Sequence, residues 1–275
     1  MATTNCYCTL TELKARLGIS DTTDDASLKL AMESVSRWID QYCRRFFFVE
    51  TRTRYFTPDC PDQLDVPDVL SVSASGLITD SDGDRTYEDT WAATDYDLLP
   101  LNALLESPPR PYTRLAVTPN GSYTFPLVTK GVSILGKWSF AENIAALDTL
   151  GAAITTTTAT TLTATTGTSW SAGQTVLIGS EQMHVQSVAT NTITVTRGVN
   201  GTTAATALNG AAVSLYSYPM VNEACLLQCA RIFARRNAPF GIAGNAELGT
   251  LLVIPKLDSD VALMLDPLRS WGGGF

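Results

Sequence analysis

Gln174–Thr196 reads QTVLIGSEQMHVQSVATNTITVT, and this stretch decides that the middle of the chain is sheet. Val176 and Ile178, then Met183 and Val185, then Ile193 and Val195 alternate with their neighbours. That period of two is what a strand shows when one of its faces is buried. Asn200-Gly201 follows as a tight-turn signal, and Val213–Tyr216 reads as a last short strand. Upstream, Ile154–Ser169 is almost all threonine and alanine. Such a tract can be a linker, but the branched side chain of threonine also suits a pleated surface, and the strands that follow favour that reading. Residues 143–217 are therefore predicted to form a small all-β domain, of barrel or sandwich type.

Outward from this block the pattern changes to helices. Thr9-Leu10-Thr11-Glu12 fits a capping box, with Leu10, Leu13 and Leu17 on the apolar side and Gly18 as the stop. After an acidic turn, Leu28, Ala31, Met32, Val35, Ile39 and Tyr42 keep the three-and-four spacing of one buried helical stripe, closed by Arg44 and Arg45. Phe46–Phe56 then reads as strand, Pro58–Pro67 as loop, Val69–Ile78 as a weak strand, Tyr87–Leu99 as a further short one and Val132–Phe140 as the strongest strand of this half. Beyond the β-block, Pro219 opens a long helix to Arg236, Gly244–Gly249 reads as flexible, and Leu257–Arg269 gives a short helix capped at Asp258 or Ser259. The predicted class is α+β: a discontinuous helical core with short strands, residues 1–142 and 218–275, carrying 143–217 as an insertion.

The bulk properties narrow the function classes. Of 275 residues, 45% are hydrophobic and 17% charged, so a packed core is expected and global disorder is not. No apolar run approaches the roughly 20 residues that cross a bilayer, and the first residues lack the basic and apolar blocks of a signal peptide. These features predict a protein made and kept in the cytoplasm of its host, with no membrane partner. The formal charge of −8 argues against a tight clamp on nucleic acid, which needs cations on phosphates. It still allows a surface that DNA slides past.

Candidate chemistry is sparse. His184 is the single histidine, and no nucleophile elbow, phosphate loop, dinucleotide fingerprint or zinc-protease motif occurs, so no catalytic residue and no cofactor is predicted. Asp80, Asp82, Asp84, Glu88 and Asp89 resemble a calcium loop only until Arg85 and Trp91 fall where glycine and glutamate are wanted, so a solvated turn is the prediction. Of six cysteines, Cys6, Cys8, Cys225 and Cys229 invite a zinc reading. The one-residue gap between the first two is cramped for it, and the prediction is free buried thiols and no metal.

The order of elements carries a resemblance. TLTELKARLGI (9–19), LKLAMESVSRWIDQYCRRFF (28–47), VSILGKWSF (132–140), YPMVNEACLLQCARIFARRNAPFG (218–241) and LDSDVALMLDPLRSW (257–271) together resemble the head–tail connector (adaptor) family of tailed phages. The stretch GQTVLIGSEQMHVQSVATNTITVTRGVNGTTAA (173–205) resembles small β-modules of other phage structural proteins, and it separates elements that the family pattern joins almost directly. The resemblance implies a virion neck protein that binds the portal, forms a ring with copies of itself, twelve to match a portal, meets a tail or tail-terminator (stopper) protein, and lets DNA pass through the lumen unread. It further implies partner or ring contacts at Arg235, Arg236, Leu257, Asp260, Leu263, Leu265, Arg269, Trp271 and Phe275. The alternative is a tail-completion or capsid decoration protein that binds through the β-domain.

Overall fold

The computed structural model describes residues 2–237, 242–245, 250–253 and 258–270. Helix α1 (Leu10–Leu17) begins where Thr9 Oγ1 accepts from the Glu12 N–H at 3.2 Å and Glu12 Oε2 accepts from the Thr9 N–H at 2.9 Å. Two amide donors that the first turn leaves free are thereby satisfied. Gly18 ends it at φ 68, a left-handed conformation that glycine adopts without strain. Helix α2 (Asp25–Cys43) buries Leu28, Met32, Val35, Ser36, Ile39 and Cys43, one stripe at helical spacing. Helix α3 (Pro219–Ala234) starts at a proline, whose missing N–H costs nothing in a first turn, and a short 3-10 turn at Arg235–Asn237 follows it. Helix α4 (Ser259–Leu265) is capped by Asp258, which accepts from the Asp260 N–H at 3.0 Å.

The chain forms two compact units. The first gathers Met1–Arg44, Asn143–Val199 and Thr203–Ser270, and so holds all four helices. Its strands are β7 (Ile144–Thr149), β8 (Thr161–Thr163), β9 (Thr175–Ile178), β10 (Glu181–Ala189), β11 (Thr192–Thr196) and β12 (Ala212–Tyr216), in the order β7-β12-β9-β10-β11-β8. The two outer strands then meet. Leu150 bridges Ala164, the Gly151 N–H donates to Thr163 O at 2.8 Å, and the Thr165 N–H donates to Thr149 O at 3.1 Å. The sheet thereby closes on itself into a small barrel. The alternating residues of the sequence fill it: Val176, Ile178, Met183, Val185, Ile193, Val195 and Val213 are buried together with Trp170. Helix and barrel share this unit's hydrogen bonds, for the Leu10 N–H donates to Ala172 O at 3.0 Å and Thr3 Oγ1 to Val185 O at 3.0 Å. After α3, strands β13 (Ile242–Asn245) and β14 (Thr250–Val253) pair as an antiparallel hairpin, which takes in Gly244 of the stretch read as flexible.

The second unit is Arg45–Glu142 with Asn200–Thr202. Strands β1 (Glu50–Phe56), β2 (Gln63–Thr79), β3 (Asp89–Thr90), β4 (Tyr96–Leu99), β5 (Tyr112–Val117) and β6 (Val132–Trp138) build an open antiparallel sheet in the order β1-β6-β2-β5-β4, with β3 on β2. Leu64, Val69, Leu77, Leu115, Val132 and Ile134 form its core with Trp91, Phe125 and Trp138. Strand β2 shifts register twice on β6. At the second shift Ser75 lies at φ 55, and a Cβ on Gly76 would stand 2.5 Å from Leu135 O, so the bulge demands a glycine there. The Asn200-Gly201 turn has positive φ at both residues, and the Thr51 N–H donates to Asn200 O at 2.8 Å.

The α+β class stands, but the helical core with short strands does not. Among the described residues four helices stand against fourteen strands, and Arg45–Glu142 is a sheet with its own core. The reading failed where prolines and aspartates mask a strand. Within the stretch taken as loop, Leu64 and Val66 are buried while Gln63 and Asp65 face out. Pro67 sits at a register shift, where no ladder hydrogen bond is required of it. Phe46 and Phe48 precede the first strand instead of opening it, their rings stacked at 4.7 Å.

Candidate functional site

The residues expected to meet partners separate by their surroundings. Arg236 follows α3 and pairs with Asp24 at 2.7 Å, its guanidinium 4.0 Å from the Phe233 ring centroid; Arg235 beside it is half-buried. Asp260 is exposed in the first turn of α4, and Leu263 on the same helix is 76% exposed. Leu265, two residues further along the helix, is fully buried and faces the packed side of α4. Arg269 lies 3.7 Å from Asp266 and stacks over Tyr42 at 5.1 Å, which ties the segment after α4 to α2. Leu257, Trp271 and Phe275 lie outside the described residues. Arg231 was missed: its side chain is 11% exposed and its Nη1 is 3.4 Å from Asp258 Oδ2, joining α3 to the cap of α4.

The N-terminal arm, residues 2–9, was also missed as a structural element. Gln186 Nε2 donates to Thr3 O at 2.9 Å and the Thr3 N–H to Gln186 Oε1 at 2.7 Å; the Tyr7 N–H donates to Ser36 Oγ at 3.0 Å, and Asn222 Nδ2 to Tyr7 O at 3.0 Å. Tyr7 OH donates to Asp40, where burial pushes the carboxyl up to about 7 in spite of Arg37 and that hydrogen bond. On β10, His184 Nδ1 is 3.1 Å from Thr175 Oγ1, and burial pushes the ring down to about 4. The imidazole is thus neutral, buried and held by a hydroxyl.

Three thiols converge below this arm. Cys225 Sγ is 3.4 Å from Cys8 Sγ and 3.9 Å from Cys229 Sγ, and all three sulfurs lie within 4.8 Å of one another, fully buried. Hydrogen bonding to Cys225 raises the Cys8 thiol well above its ordinary range; burial resists charge on Cys225, yet hydrogen bonds from Cys229, Cys8 and Ser36 hold it well below that range. Cys6 Sγ is 3.4 Å from Glu33 Oε2, and burial raises it. The acidic loop is a self-satisfied turn: Asp80 accepts from the Gly83 N–H at 2.6 Å and the Arg85 N–H at 2.9 Å, and Asp82 from the Asp84 N–H at 3.1 Å.

No described helix is long and apolar enough to cross a membrane. Neither the curated proteins nor the solved structures give a match to the chain. Residues 7–85 match the family model described as phage gp6-like head-tail connector protein. The matched segment spans α1, α2, β1 and β2, less than a third of the chain, and it includes the first two of the five segments that carried the sequence resemblance. Over residues 7–85 the chain is therefore similar to phage head–tail connectors, and that likeness supports a phage structural protein at the head–tail joint.

Proposed function

We propose that this chain is a structural virion protein that joins the portal of a phage head to the tail, as one subunit of a ring around a DNA channel. The observation that carries the reading is the connector match over residues 7–85. Charge supports it. Arg45–Glu142 holds fourteen acidic against eight basic residues, so the second unit carries most of the net −8 and is the part suited to line a passage that must not trap DNA. The exposed Leu263 and the cations Arg235 and Arg236 are the proposed contacts with the portal or with the next subunit, and a heterologous contact of that kind closes into a ring by rotation. The barrel, residues 143–217, stands in this reading as an insertion offered to a tail or stopper protein. The chain acts without catalysis, and its place is the virion neck.

Co-sedimentation of the purified chain with portal-bearing, tail-less heads, followed by negative-stain imaging, tests this. Ring-shaped density at the single portal vertex is the expected result. Coating of the whole shell, or of tails alone, would replace the proposal with decoration or tail completion.

A further inference from the structure

The sequence spacing of the cysteines argues against a metal, because Cys6-Tyr-Cys8 is too tight for the usual paired ligands. The fold removes that objection by using one cysteine of the pair. Cys8 comes from the arm, and Cys225 and Cys229 are one helical turn apart on α3, so their sulfurs point the same way. A tetrahedral zinc with Zn–S bonds of about 2.3 Å spaces its sulfurs about 3.8 Å apart. The Cys225–Cys8 and Cys225–Cys229 sulfur separations, 3.4 and 3.9 Å, bracket that value, and the third lies within 4.8 Å. Three buried thiols on elements more than two hundred residues apart in sequence are more than apolar packing needs.

We propose that Cys8, Cys225 and Cys229 form a thiolate site for Zn2+, which pins the N-terminal arm to α3. Three Zn–S bonds form and three S–H protons leave to solvent; no electron is transferred. The set carries a formal charge of −1 with the ion bound, and the soft sulfur donors select zinc over calcium or magnesium. Burial of all three sulfurs implies that the ion loads as the arm closes, so binding is coupled to folding of the first unit.

The test uses the reduced full-length chain, purified with Zn2+ present, and reads zinc content together with zinc X-ray absorption. The expected result is one zinc per chain with three sulfur neighbours, and a melting temperature that falls when a strong chelator strips it. C225S is expected to lose the ion, while C60S, which alters a thiol of the second unit, keeps it. Wild-type measurements stand even if C225S fails to fold. A folded wild-type chain that holds no zinc, or holds it through nitrogen and oxygen alone, overturns the proposal.

Discussion

The barrel and the open sheet each have six strands, and they treat charge in opposite ways. Residues 143–217 contain three side chains of Asp, Glu, Lys or Arg, and each is tied into the barrel. Glu181 and Arg197 form a buried bidentate pair at 2.6 and 2.7 Å, and Glu181 also accepts from the Gly198 and Ala205 N–H groups at 2.9 Å. Asp148 accepts from Trp170 Nε1 and the Thr166 N–H, both at 2.9 Å. In Arg45–Glu142 the charges are many and mostly face water, as in the exposed pair Asp65–Arg114. A closed sheet made of threonine and alanine can afford few ions, so each one it keeps is structural. An open sheet wears its ions as a surface, where water screens them and their summed field is what matters.

That contrast makes graded predictions. Glu181→Ala leaves Arg197 buried without its carboxylate and frees two backbone donors. The expected loss is about 3–5 kcal/mol of unfolding free energy, measured by denaturant titration. A loss under 1 kcal/mol would erase the distinction between the two sheets.

The next effect is one of pH and belongs to the barrel's neighbourhood. His184 titrates at about 4 when folded against 6.5 when free, so its contribution is present above pH 6.5 and is lost as pH falls towards 4. Asp40 runs the other way: folded at about 7 against 3.8, it contributes below pH 3.8 and is lost as pH rises through 7. Between about pH 4 and 6.5 the two oppose each other in the wild type. In the D40N variant the opposing Asp40 limb is gone, so stability is expected to fall more steeply from pH 6.5 down to 4 than in the wild type. Thermal melts at several pH values check it, and a D40N curve no steeper than that of the wild type would contradict the burial argument.

The smallest effect lies in the open sheet. Asp65→Ala breaks a pair whose side chains are 76% and 45% exposed, with an expected change of at most about 1 kcal/mol that shrinks further in high salt.

Legibility followed the same division. The barrel could be read because Met183, Val185, Ile193 and Val195 keep a strict alternation that only a one-faced strand needs. Strand β2 could not, because it enters through Pro61, Asp62 and Asp65 and breaks its own alternation at Ser75 and Gly76. Closure of the barrel depends on Leu150 meeting Ala164, a pairing with no local signal. On α4 the residue types promised a contact helix but not which side faced out, and Leu263 and Leu265 divided between water and core. The meeting of Cys8 with Cys225 was hidden for a different reason: sequence spacing measures distance along the chain, and these two thiols are neighbours only through the fold.

The threaded N-terminal arm has a consequence for truncation. Thr3, Tyr7 and Cys8 find their partners at Gln186, Asn222 and Cys225, which follow them by 183, 215 and 217 residues. Nearly all of the open sheet, by contrast, is one continuous run complete by Glu142. A chain without α3 would leave Tyr7 and Cys8 without the partners that hold the arm.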